Sequence, residues 1–305
     1  MSGIALLARL ARRNPARLRL SSFAPWLLLA PSLLFLALFT YWPVAQVAWR
    51  SLVVQRFGTA AAYGLGNYAR LLADAAFGQA ALNTALYALG TVVSSLLLAL
   101  GFALALRDGT RVVAVLRTLL VLPMLVPLVA AAALFTFILL PGAGLLDHYL
   151  ARFGVGATNW LGDPSLALGS VVAITVWKNT GYYMLFFLAG LAAVPEDLVD
   201  AARLEGANAW QRLRHVVLPL LGPTLGFVAV IALLSVLTQV DHVITMTRGG
   251  PSGATNMLLY YIYEQAHQNG DLGLASAATV ASVAALLCLA LLSLRTLERG
   301  IHYES

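Results

Sequence analysis

The sequence predicts an all-α polytopic membrane protein with six transmembrane helices, and three observations carry that expectation. Mean hydropathy is +0.83, with 60% hydrophobic and only 10% charged residues over 305 positions, a composition that cannot keep a water-facing surface polar. Apolar runs recur at the length that a hydrocarbon core of about 30 Å demands, roughly 20 helical residues. The runs are continuous and rich in Leu and Ala rather than alternating between two faces, which favours helices over a barrel. The lipid bilayer is therefore the first partner.

The runs cover residues 25–49, 81–106, 113–140, 167–191, 216–239 and 274–294. A basic tail, residues 1–22, precedes them. Its basic region is long, the apolar run behind it outlasts a signal peptide's 7–15 residues, and no small-x-small cleavage site follows, so the first helix is expected to be retained. One helical domain, 23–299, then carries all six runs, ahead of a short tail at 300–305. Pro31 and Pro43 lie in the first run, Pro123 and Pro127 in the third, and Pro219 and Pro223 open the fifth. Each removes a backbone donor and crowds the preceding turn. Pro123 and Pro127, four apart on one face, bend the third helix around a pathway or give it a static kink; the sequence leaves both open.

Charge placement predicts orientation. Of 19 Lys and Arg, thirteen fall in the N-terminal tail, the junction of the second and third runs, the segment between the fourth and fifth, and the C-terminal end; five fall in the alternate loops. The positive-inside rule then puts both termini and the loop near residue 200 in the cytoplasm, and the basic balance reports topology rather than a nucleic-acid partner. Cys288 is the single cysteine, and the five histidines show no ligand spacing, so neither an internal disulfide nor a metal site is expected.

Between the fourth and fifth runs, residues 195–215 read as a helical elbow. Pro195 suits a first turn, and Glu196 and Asp197 complement the positive end of the helix dipole. Gly206 stops the helix, because glycine enters the left-handed cap conformation without steric cost. Asn208 followed by Gln211 has the form of a capping box opening a second helix, on which Trp210, Leu213 and Val217 are expected to share a face.

The series Asp200-Ala201-Ala202, Gly206 after three residues, Val216 after nine more, and then Leu218-Pro219 resembles the "EAA" signature of the transmembrane subunits of binding-protein-dependent ABC importers. Every spacing matches; Asp stands for Glu at 200 and Val for Ile at 216. Further segments resemble the carbohydrate and glycerol-phosphate branch of that family, the maltose-permease-like one, among them Gly66-Asn67-Tyr68, Leu82-Asn83-Thr84, Val176-Trp177-Lys178 and Tyr261-Ile262-Tyr263. The resemblance implies a type I importer permease fold, a second permease subunit, two ATPase subunits, and a periplasmic or extracellular solute-binding protein. It also implies that the elbow is a coupling helix seated on the ATPase, with Asp200, Ala201, Ala202, Arg203, Glu205, Gly206, Leu218 and Pro219 as the coupling residues. This chain lacks the Gly-Lys-Ser/Thr turn that cradles phosphates, and its only lysine is Lys178. ATP and Mg are thus expected on the partner ATPases, with no cofactor in this chain.

Lys178 and Asn179 fall in the middle of the fourth run, where a charged side chain costs about 2.5–3.5 kcal/mol on insertion scales. Tyr182 and Tyr183 follow each of them by four residues, adding hydrogen-bonding and stacking surface for a hydroxylated solute. Gln239, Asp241 and His242 end the fifth run. These residues line a substrate pathway or, equally, make interhelical bonds such as an ion pair of Lys178 with Asp241. In the loop that follows, Arg248, Gly249, Gly250 and Pro251 form a turn-rich segment, which by resemblance probes the binding protein. An ion-gradient-driven secondary transporter is the alternative, but it predicts carboxylates inside the runs and the six cores hold none. No grouping of nucleophile, acid and base suggests a catalytic residue.

Overall fold

The computed structural model describes residues 24–54 and 62–298. The whole of the basic tail 1–22 and of the tail 300–305 assigned above, with Arg56 and Arg299, lie outside the described residues. The chain divides into two units at Arg50. Helix α1, built from Ala24–Leu36, a π turn at Ala37–Tyr41 and Trp42–Ser51, lies in the first unit up to Arg50. The π turn ends next to Trp42-Pro43, where proline removes a donor and a wider turn accommodates the mismatch. The side chains described along α1 up to Arg50 are almost all exposed.

The second unit begins with two short antiparallel strands, β1 (Val53–Val54) and β2 (Ala62–Tyr63), and helix α2 (Gly66–Ala73). Helix α3 (Ala75–Ala105) opens on Asp74, whose side chain accepts from the Ala76 N–H. The third predicted span is two helices, α4 (Arg111–Leu125) and α5 (Leu128–Ile138), meeting at 100°. The break falls at Val126-Pro127, where Pro127 cannot donate to the carbonyl one turn behind it. Beyond it lie α6 (Leu145–Leu150), α7 (Ala167–Ala192), α8 (Glu196–Leu204) and α9 (Ala209–Arg212). A π turn, Leu213–Val217, leads to α10 (Gly222–Thr238), with Pro223 in its first turn, where proline is tolerated. The chain closes with α11 (Asp241–Met246), α12 (Leu258–Tyr263) and α13 (Leu272–Glu298).

Among the described residues, three helices are long and apolar enough to cross a membrane: Leu28–Ser51, Ala75–Ala105 and Gly222–Met246. The bent α4–α5 pair makes a fourth if counted as one span. Helix α7 has the length, at 26 residues, but Lys178-Asn179-Thr180 and Tyr182-Tyr183 make it less apolar.

Helices α3 and α7 form the spine of the second unit. Asn83, Tyr87, Thr91, Ser95, Ala99 and Ala103 are buried at intervals of four along α3, as are Ala167, Val171, Thr175, Asn179, Tyr183, Phe187 and Leu191 along α7. Such i±4 ridges, lined on α3 by small side chains, let two backbones approach closely. Tyr87 bonds Thr175 near one end, and Ala99 and Ala103 share a core with Tyr183, Phe187 and Leu191 toward the other, so the two helices run in the same direction.

Candidate functional site

Three arrangements hold the residues singled out above. The first is the elbow. Helix α8 starts at Pro195, and Gly206 ends it with φ of +86°, a left-handed conformation that glycine adopts freely. Asn208 accepts from the Gln211 N–H at 2.9 Å while the Gln211 side chain accepts from the Asn208 N–H at 2.8 Å, completing the capping box. Arg212 donates to the Ala207 carbonyl at 2.6 Å, closing the corner from inside.

The inner angle of the elbow holds two adjoining grooves of about 390 and 400 Å³ that share Ala202, Glu205, His215 and Val216. Small residues at 201 and 202 keep that angle open, which gives the motif's spacing a physical basis. Asp200, Arg203 and Glu205 are exposed, as is Pro219, while Leu218 is half-buried. The face expected for Trp210, Leu213 and Val217 is not formed. Val217 is buried and Leu213 packs on the core, but Trp210 is exposed. The π turn 213–217 takes an extra residue per turn and breaks the 3.6-residue phase. Leu204 and Trp210, 90% and 64% exposed, therefore stand out on the elbow as apolar knobs that the sequence reading had not placed there.

The same end of the molecule carries the α3–α4 connection. Arg117 donates to the carbonyls of Leu106 and Asp108, capping α3, and a cavity of about 340 Å³ is lined by Arg107, Arg117, Val194 and Glu196. Basic side chains thus cluster beside the elbow.

The second arrangement is on α7. Lys178 is buried and donates to three carbonyls at the end of α4: Pro123 at 3.3 Å, Met124 at 3.1 Å and Val126 at 2.5 Å. Its ion pair with Asp241 is not formed. Asp241 is exposed, and among the described residues the one salt bridge joins Arg70 to Asp271 at 2.7 Å. One turn before Lys178, Thr175 meets Tyr87, which also bonds His242 Nε2 at 2.9 Å. Asn179 Nδ2, Gln239 Oε1, His242 Nδ1, Thr91 Oγ1 and Ser95 Oγ are buried polar atoms without a protein partner. Tyr182 is half-buried and meets Phe186 edge-on at 5.0 Å, and Phe186 meets Phe227 at 5.6 Å; Tyr183 is buried against α3. The Tyr87–Thr175–His242 group was not foreseen, although Tyr87, Thr91 and Ser95 recur at four-residue spacing.

The third arrangement lies beyond the opposite end of α10 from the elbow, roughly 25 Å away for 17 residues at about 1.5 Å each. Here Arg248 and Ser252 (φ +49°) and Gly249 and Gly253 (φ +77° and +76°) wind a tight loop. Asn83 of α3 donates to the carbonyls of Gly253 at 2.8 Å and Asn256 at 2.9 Å, and Thr255 bonds Thr247 and the Gly250 carbonyl. Gly249 is buried against the Tyr260 ring, which a Cβ would approach to 2.5 Å. Arg248 and Ser252 are exposed. On the neighbouring 139–166 segment, buried Asp147 accepts from the N–H groups of Gly142 and Thr158 and from Trp160 Nε1 at 2.8, 3.0 and 2.7 Å. These donors, Gly142 first and then Trp160, hold its carboxyl below the ordinary range.

Residues 95–303 match the family model described as the binding-protein-dependent transport system inner membrane component. Over 287 residues the chain is 33% identical to the sn-glycerol-3-phosphate transport system permease protein UgpA of Escherichia coli (strain UTI89 / UPEC), covering 93% of this chain and 97% of the relative. In fold it is similar to a bacterial ABC transporter involved in the import of the acidic polysaccharide alginate. The TM-score is 0.78 at 22% identity, over 90% of this chain and 96% of that one. A second alginate ABC transporter structure, in complex with an alginate pentasaccharide-bound periplasmic protein, gives 0.77 at 20% identity over 89% and 92%.

Proposed function

This chain belongs to the family of binding-protein-dependent transport system inner membrane components, and from that premise we propose that it forms, with a second permease subunit, the path of an ABC importer for a sugar, polyol or glycerol-phosphate-type solute. It is a transport subunit of the inner membrane, with the helical fold of type I importer permeases, and not an enzyme. The chain crosses the bilayer six times, with α7 and α13 completing the set and both termini in the cytoplasm. That orientation puts Arg107, Arg117, Arg203 and Arg212 on the positive side.

The observation that carries the reading is the elbow: a preformed corner with the importer spacing, set where a soluble partner reaches it. One of two ATPase subunits docks there on Asp200, Ala201, Ala202, Arg203, Glu205, Gly206, Leu218 and Pro219, and the other docks on the second permease subunit. ATP and Mg bind to those partners and supply the free energy. Closure of the ATPases moves the elbow, and α10 carries the motion toward the opposite end. There Arg248, Gly249, Gly250 and Pro251 form the loop that meets a solute-loaded binding protein, with Arg248 presented outward and Gly249 anchoring from below. Tyr182, Gln239 and Asp241 face the solute, and Asn179 offers a free amide; Tyr183 backs them against α3. Lys178 has its protons engaged by carbonyls and serves the path from behind. The glycerol-phosphate end of the solute range is supported by the name of the Escherichia coli relative.

The test is reconstitution of the complete complex in liposomes with its binding protein. ATP hydrolysis and uptake should rise with sn-glycerol 3-phosphate or a sugar. Uptake by this chain alone, driven by an ion gradient and indifferent to ATPase subunits, would refute the proposal.

A further inference from the structure

Helix α4 ends in carbonyls that nothing in its own chain segment can satisfy fully. The Pro123 carbonyl accepts the Val126 N–H at 3.2 Å, but Pro127 has no N–H to add to it, and the 100° turn carries the next helix away from the carbonyls of Met124 and Val126. Inside a membrane such groups find no water, so a partner must come from another helix. Lys178 of α7 is that partner, bringing three protons to Pro123, Met124 and Val126. Its positive charge also stands at the negative end of the α4 dipole.

The adjacent residue holds the other arm. Trp177 meets Phe135 of α5 edge-on at 4.9 Å, so neighbouring side chains on α7 grip both sides of the break. One turn further on, Gly181 seals the contact with α4. A Cβ there would lie 1.8 Å from the Leu120 carbonyl oxygen, so the two backbones touch with no side chain between them. Helices this close cannot slide past one another without a clash.

We propose that Lys178 is a positioning residue: with Trp177 and Gly181 it clamps the bent α4–α5 span onto α7, fixing the bend and making the three helices one rigid piece during transport. The inference rests on the importer reading for its consequence, because a fixed bend transmits elbow motion to the pathway, whereas a loose one dissipates it. The clamp itself stands on geometry alone.

The test uses the full complex in nanodiscs, with Cys288→Ser and spin labels at Leu116 on α4 and Phe137 on α5, both exposed. Double electron–electron resonance should give a narrow distance distribution for the parent. Lys178→Met should broaden it toward longer distances and cut solute imported per ATP hydrolysed by about tenfold, whereas Lys178→Arg should restore both. An unchanged distribution in Lys178→Met, or equal broadening in both variants, overturns the proposal. Should Lys178→Met fail to assemble, Trp177→Leu frees the α5 arm and leaves the cap in place. Broadening there supports the clamp, and a parent-like distribution overturns it. If the parent complex shows no binding-protein-dependent uptake, the importer reading fails while the distance measurement still judges the clamp.

Discussion

Replacing Asn83 by alanine should loosen the loop at residues 247–257 without disturbing the elbow. The Asn83 amide donates to two loop carbonyls, Gly253 at 2.8 Å and Asn256 at 2.9 Å, and its oxygen accepts from Gln79. Alanine removes both tethers and strands the buried Asn256 carbonyl, while the Gly253 carbonyl keeps only the Asn256 N–H at 3.1 Å. At about 1–1.5 kcal/mol for each lost bond, the loop loses roughly 2–3 kcal/mol of local stability. With about 1.4 kcal/mol per factor of ten, backbone amides in the loop should exchange roughly 30- to 150-fold faster with deuterium. Gly250 and Thr255 report best, since their N–H groups bond within the loop, to Thr247 and Gly249. Stimulation of ATP hydrolysis by the loaded binding protein should fall, while hydrolysis without binding protein stays at the parent level. Exchange unchanged at Gly250 and Thr255, together with full stimulation, would refute the tether and its role in presenting Arg248.

Three further expectations concern the elbow and the opposite loop. Gly206→Val should weaken the elbow by about 1–2 kcal/mol, because φ is +86° although nothing crowds the site. Gly206→Asn should cost less, and co-purification with the ATPase subunits should rank the variants in that order. Asn208→Ala removes the capping box and should cost about 1 kcal/mol, seen as faster exchange of the Gln211 amide. Because the folded Asp147 carboxyl lies below its ordinary value of 3.8, its stabilisation is fully present above that value and lost as pH falls through the lower folded one. The Trp160 indole resonance of fluorotryptophan-labelled protein should therefore shift only in strong acid, and Asp147→Asn should abolish that acid-dependent step.

What could be read from sequence was the chemistry that acts over a few residues. Gly206 as a stop, Asn208 with Gln211 as a box, and proline-driven breakage near 123–127 each follow from local sterics or hydrogen bonding, and each is present. The bend angle was hidden because it is set from α7 by Trp177 and by Lys178, the latter 52 residues from Val126. Lys178 stood out as a costly intramembrane charge, yet its partners are main-chain carbonyls, which no side-chain pattern announces, and not the carboxylate of Asp241. The turn at 248–253 was evident from its glycines, whereas its anchor, Asn83, is separated from Gly253 by 170 residues. Trp210 was misplaced because a π turn cannot be foreseen from a 3.6-residue pattern.

The corner between α8 and α9 is finished before any partner arrives: glycine, box and arginine settle its shape through bonds made wholly within residues 201–212. A surface already in its final form surrenders little freedom when it is met, so association should proceed as one rigid body fitting another. Whatever pushes on such a corner moves the helix behind it at once, with no slack to be taken up first.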